Sequence, residues 1–136
     1  MELERALDFV REHHHAVMQT YRRDGAPQMS PVACNVDGDG LIVVSTRETA
    51  MKTTHLRRDP RVALCVLSDG FFGDWIQIEG TADVVSLPDA MERLVDYYRT
   101  TSGEHPDWDD YRAAMVRDQR VIVRITPERA GPDRSG

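Results

Sequence analysis

"HAVMQTYRRDGAPQMSPVACNVDGDGLIVVST", residues 15–46, decides the fold. Three stretches rich in apolar and β-branched residues alternate with two turn signals. "DGAP" at 24–27 sets glycine and proline where a reversal needs them, and "DGDG" at 37–40 is a strong hairpin signal. The strands read as "HAVMQTYRR", "QMSPVACNV" and "LIVVST". Pro31 cannot donate to a ladder, so the second strand belongs at an edge or a bulge. The third runs apolar up to its closing hydroxyls and is expected to be buried on both faces. Consecutive hairpins predict a three-stranded meander.

On the N-terminal side, "MELERALDFV" predicts a helix over about 2–12, with Leu3, Ala6, Leu7 and Val10 on one face. It has no basic leader and no apolar core of a secretory signal. On the other side, "ETAMKTTHLRRDPR" (48–61) predicts a short helix over 49–58, capped by Thr49 or Ser45 and ending ahead of "DP". "RVALCVL" and "WIQIEGTADVVS" are strands joined by the loop "SDGFFGD". Gly80, inside the second, predicts a bulge or a close backbone approach. Helices follow over 88–102, with Pro88 at its start, and over 107–117, with Asp107 as cap. "QRVIVRITP" closes the fold, and 127–136 reads as a disordered tail behind a single domain at 1–126. The order β-β-β-α-β-β-α-α-β has no βαβ repeat. It predicts a mainly β fold with helices (α+β), a small closed or split antiparallel barrel.

The chain has 136 residues and a net charge of −6, which argues against general nucleic-acid binding. No apolar run approaches the roughly 18 residues of a membrane span. Cys34 and Cys65 sit in apolar runs and read as free thiols of a cytoplasmic protein. Charge is uneven: between 45 and 61 stand Arg47, Lys52, Arg57, Arg58 and Arg61 against Glu48 and Asp59. Lys52 is the only lysine of the chain. A strand ending in Ser45 and Thr46, followed by Arg47 and a helix start carrying Lys52, suits a phosphate, because a helix N-terminus presents free N–H groups and a positive dipole end. Neither GxGxxG nor GxxxxGK[ST] occurs. "HHH" at 13–15 aims consecutive side chains in different directions, so no metal is expected there. No acid–base or nucleophile–base pair is legible.

"ETAMKTTHLRRDPRVAL", "DGAPQMSPV" and "GEHPDWDDYRAAMVRDQRVIV" resemble the pyridoxamine-phosphate-oxidase-like split-barrel flavoproteins. More narrowly, they resemble the actinobacterial branch that uses the deazaflavin coenzyme F420. The resemblance spans residues 15 to about 125. It implies a six-stranded, FMN-binding type of split barrel, homodimeric, with the cofactor in a groove at the dimer interface. By the same resemblance Lys52 binds the cofactor phosphate, with Ser45, Thr46 and Arg47 along the groove. Gln28 and Pro31 line the ring, Val44 and Met51 help to wall it, and Trp75 approaches it from the other subunit. Two positions depart from the pattern. Ala50 stands where relatives often carry arginine, leaving Arg47 to supply that charge, and His55 stands where asparagine is common. The implied activity is hydride transfer from reduced F420 to a conjugated double bond of a small apolar substrate, with the proton coming from solvent, Arg23 or His55. An FMN-dependent oxidoreductase and a non-catalytic F420- or flavin-binding protein are the alternatives. The ending "ITPERAGPDRSG" does not resemble that of vitamin B6 oxidases.

Overall fold

Seven strands, not six, join one antiparallel sheet in the order β2-β1-β5-β6-β7-β4-β3. The structure, a computed structural model, describes residues 2–133. Its elements are α1 (Leu3–Glu12), β1 (His15–Tyr21), β2 (Pro27–Ala33), β3 (Asn35–Val36), β4 (Ile42–Arg47), α2 (Met51–Arg58), β5 (Arg61–Leu67), β6 (Trp75–Val85), α3 (Met91–Ser102), α4 (Trp108–Arg117) and β7 (Arg120–Ala130).

The extra strand comes from "QMSPVACNV", which is two strands broken at Cys34. Both hairpins that the turns predict do form, β1 with β2 and β3 with β4. The meander does not, because β2 and β3 lie at opposite ends of the sheet. The buried Cys34, held by its N–H on the His14 carbonyl at 2.7 Å, carries the chain from one edge to the other. The sheet therefore curls until its two edges are one residue apart, and the barrel stays split along that seam. Pro31 sits on the edge strand β2, where its missing donor costs no ladder bond.

Inside the curl, alternate residues of the strands form the main core, including Met18, Leu64, Ile78, Val44 and Ile125. Helix α1 closes it with Ala6, Leu7 and Val10, and α2 adds Leu56. Helices α3 and α4 cover the outer face of β4 and β7, where Val43 and Ile122 pack on Leu94, Val95 and Tyr111. This is why β4 is apolar on both faces. The Tyr111 hydroxyl donates to the Leu94 carbonyl at 2.8 Å in this second core. Tyr111→Phe removes that hydrogen bond and should cost about 1 kcal/mol in a urea unfolding curve.

Other boundaries follow from local hydrogen bonds. Asp107 caps α4 by accepting from the Asp110 N–H at 3.1 Å. Neither Thr49 nor Ser45 caps α2: Ala50 holds that position and offers no side-chain acceptor. Thr53 ties the turn down instead, donating its hydroxyl to the Arg47 carbonyl at 2.6 Å. Part of the expected disordered tail, 127–130, continues β7, because β6 is long enough to pair with it. The Gly131 N–H reaches the Gln77 carbonyl at 2.7 Å beyond that. Residues 134–136 of the expected tail lie outside the described residues. Among the described residues, no helix is long and apolar enough to cross a membrane.

Candidate cofactor groove

The seam leaves backbone uncovered. β3 pairs only with Ile42 and Val43, so Val44 to Arg47 have β7 on one side and no strand on the other. Tyr97 of α3 fills one end of this gap, donating its hydroxyl to the Ala33 carbonyl at 2.9 Å. Burial pushes its phenol up to about 12, despite a backbone hydrogen bond from Ser45. Tyr97 thus joins the two edges of the sheet, a role for which its position in the sequence carried no signal.

Strand geometry sorts the expected ring-lining residues. Val44 faces the main core and is fully buried, so its side chain walls nothing outside. Thr46 shares that inward row, while Ser45 and Arg47 lie on the outer row. Gln28 and Pro31 are three residues apart on one strand and so face opposite sides, Gln28 inward and Pro31 outward. They do not line a single surface. Trp75 lies on the outer row at the far end of β6, three strand spacings from Pro31's strand, about 14 Å at the usual interstrand distance. Within one copy it does not join the other candidates.

Gln28 instead meets residues under α2. It lies directly opposite Thr20 on β1. The Thr20 hydroxyl is 3.0 Å from His55 Nδ1, and both residues are buried. Gln28 Oε1 is buried with no hydrogen-bond partner. Burial first, then the charges of Arg58 and Arg22, hold the His55 imidazole below its ordinary pKa of 6.5. It is therefore neutral near pH 7 and poorly suited to deliver a proton as imidazolium. Thr20 was missed, although a polar residue in the inward row Ala16–Met18–Thr20 was a usable signal.

His55 also sets a pH dependence. Below pH 6.5 the unfolded chain takes up a proton that the native histidine resists, so stability falls as pH drops from 6.5 toward the lowered native value. Unfolding midpoints of His55→Gln against pH should lack that part of the decline.

One turn before His55, Lys52 is half-buried in the first turn of α2. The neighbouring cations are engaged. Arg57 holds Glu48 at 2.8 Å, Arg61 holds Asp59 at 2.7 Å, and Arg58 donates to the Tyr21 carbonyl at 2.7 Å. Lys52 and Arg47 have no carboxylate partner among the described residues. Arg47 also stands directly opposite Arg120 on β7, whose Nε is buried and unpaired. Like charges opposed across a ladder repel. Arg120 was not among the expected site residues. Ala50 brings no charge, and Met51 beside it is 56% exposed. Uncommitted cations beside an uncapped helix start, with an unpaired amide oxygen nearby, fit a ligand that carries a phosphate and a polar ring edge. Among the described residues, no group of three or more His, Cys, Asp or Glu side chains could hold a metal ion.

Comparison with known proteins places this arrangement. A conserved hypothetical protein of Mycobacterium tuberculosis, Rv2991, is 30% identical over 96% of this chain and 82% of its own, with a TM-score of 0.76. An F420 reductase superposes with a TM-score of 0.68 at 20% identity, over 91% of this chain and 94% of its own. HutZ, the heme storage protein of Vibrio cholerae, superposes at 0.67 with 15% identity, over 98% of this chain and 96% of its own. At those two identities the likeness shows the fold alone. The family profile described as pyridoxamine 5'-phosphate oxidase matches residues 3–132. With nearly the whole chain matched and a sheet split between β2 and β3, the protein belongs to the pyridoxamine 5'-phosphate oxidase family.

Proposed function

We propose that this protein is an F420-dependent oxidoreductase that reduces a conjugated double bond in a small apolar substrate. The observation that carries the proposal is the pair of uncommitted cations, Lys52 and Arg47, at the uncapped start of α2. They would hold the cofactor phosphate, with Arg47 supplying the charge that Ala50 lacks. On the main-chain edge of β4 that faces away from β7, the groups of Ser45 and Arg47 that Tyr97, Ala50 and Thr53 leave free would hydrogen-bond the ring, and Met51 would cover it. Reduced F420 supplies a hydride when bound; the chain's own residues bind, orient and exclude water. A neutral His55 would serve the ring as a hydrogen-bond partner, which leaves solvent or Arg23 to supply the proton. Two free thiols, Cys34 and Cys65, accord with a reducing cytoplasm.

The protein is proposed to act as a homodimer. Among the described residues, no helix covers the outer face of β2-β1-β5-β6, which carries Pro31, Met29, Val17, Cys65, Leu67 and Trp75. Shallow cavities of ≈ 340 and ≈ 250 Å³ mark it. An apolar face of this kind suits a partner surface. Light scattering at micromolar concentration should give a dimer, and a monomer would remove this part of the proposal.

Titration with F420 and FMN side by side tests the cofactor. Tighter binding of F420 is expected, tighter FMN binding would favour the flavin alternative, and binding of neither would sink the reading. A second reading, non-catalytic carriage, draws support from the storage protein that shares the fold. Oxidation of bound F420H2 by quinones or enones would exclude it.

A further inference from the structure

A cavity of ≈ 370 Å³ lies between the β3–β4 hairpin and α3, and neither Lys52 nor Arg47 lines it. Cross-strand pairing builds its floor. Asn35 stands directly opposite Val43, which packs under α3, so both side chains leave the sheet on that outer face. Arg93, Asp96, Tyr97 and Thr100, at helical spacing on α3, form the facing wall. Asp37 and Asp39 come from the hairpin turn. A volume of this size takes a small organic molecule.

Most polar groups around the cavity are already engaged. The Thr100 hydroxyl donates to the Asp96 carbonyl at 2.7 Å, and the Tyr97 hydroxyl to the Ala33 carbonyl. Asp37 accepts from the Asp39 and Leu41 N–H groups, and Arg124 faces the carboxylates of Asp37 at 3.3 Å and Asp39 at 3.0 Å. Arg99 holds Glu104 at 2.6 Å and lies 3.9 Å from Asp96. Two donors remain. Arg93 is half-buried and has neither a hydrogen bond nor a carboxylate partner among the described residues. Asn35 is 2% exposed, and its Oδ1 accepts from the Val36 N–H at 2.8 Å, which fixes the orientation of the amide. Its Nδ2 is buried with no partner. A buried donor left unpaired is costly, so an acceptor supplied from outside the chain has something to gain there.

One charged and one neutral donor, both uncommitted, match two oxygens that share a single negative charge. A carboxylate offers that arrangement. A phosphate dianion would bring a second negative charge close to Asp37, Asp39 and Asp96, and an ammonium would meet the unpaired Arg93. We propose that this cavity binds a small organic monocarboxylate, its oxygens accepting from the Arg93 guanidinium and Asn35 Nδ2 and its apolar body lying against Val43 and the Tyr97 ring. Neither F420 nor a dimer is needed for this site.

Nuclear magnetic resonance of the purified protein tests this, with benzoate and cinnamate as probes. Either acid should move the Asn35 side-chain amide signals and the backbone amides of 36–39 and 96–100, saturating below about 10 mM. Arg93→Gln breaks no ion pair among the described residues and should weaken binding at least about tenfold. Asn35→Asp keeps an oxygen for the Val36 N–H but turns the free donor into an acceptor, and should abolish binding. The absence of saturable shifts with both acids would overturn the proposal, as would unchanged affinity in Arg93→Gln. Shifts confined to the surroundings of Lys52 and Arg47, tighter binding of inorganic phosphate, or binding of benzylamine in place of the acids would each overturn it too. A protein that binds these acids here but neither F420 nor FMN would leave this site standing and sink the cofactor reading.

Discussion

Gly80→Ala should destabilise the fold by about 3 kcal/mol, the upper end of the range for overpacking. Gly80 is buried in the middle of β6, and the register between β6 and β7 slips between Glu79 and Gly80. A Cβ there would overlap the Thr126 carbonyl oxygen and approach Ile125 Cγ2 at 3.2 Å. The first obstacle is backbone of a paired strand, not the end of a flexible side chain, so relief requires moving β7 itself. β7 carries Val123 and Ile125 into the main core, so the shift would propagate. Urea denaturation checks this. Gly38→Ala is the control, because a Cβ at that loop position meets nothing within 4 Å. Equal midpoints for wild type and Gly80→Ala would mean that the bulge absorbs a methyl group and that the close approach is not a constraint.

Lys52→Ala should weaken F420 binding by about 1.5–3 kcal/mol, the value of a hydrogen bond to a charged group. The unfolding midpoint should scarcely move, since Lys52 has no ion-pair partner to lose among the described residues. The two readouts together separate a ligand-binding lysine from a structural one. Titration by F420 fluorescence measures the first and urea the second. Equal affinity with and without the lysine would end its phosphate role. Lys52→Arg sharpens the test. An ammonium is a compact point charge and guanidinium a planar fork, so a site shaped for the smaller head should lose affinity in this variant too. Full affinity in Lys52→Arg would show that charge alone matters.

The elements themselves were legible in local chemistry. β5 runs from Arg61 to Leu67 as expected, and Asp107 caps α4. Glycine and proline placed both early hairpins, and Gly80 marks the bulge. The cap of α2 was misread, because Thr49 and Ser45 were candidates by type, whereas Thr53 reaches back to Arg47 across the turn. The end of β7 was misread because its partner strand, β6, is not visible from "ITPERAGP". The set of side chains at the groove failed where strand parity decides direction. Val44 points into the core, and Gln28 and Pro31 part to opposite faces.

What the sequence determined by itself was the alternation of elements and the concentration of positive charge around Lys52, because turn residues, hydrophobic period and charge act over a few positions. What only the tertiary structure decided was pairing between distant segments. The curl of the sheet put β2 and β3 at opposite edges on either side of Cys34, set Arg47 opposite Arg120, and brought Gln28, Thr20 and His55 under one helix. Those contacts join residues up to tens of positions apart. They exist because the apolar rows of seven strands are buried together only when the sheet rolls up, and no local pattern records where the roll stops.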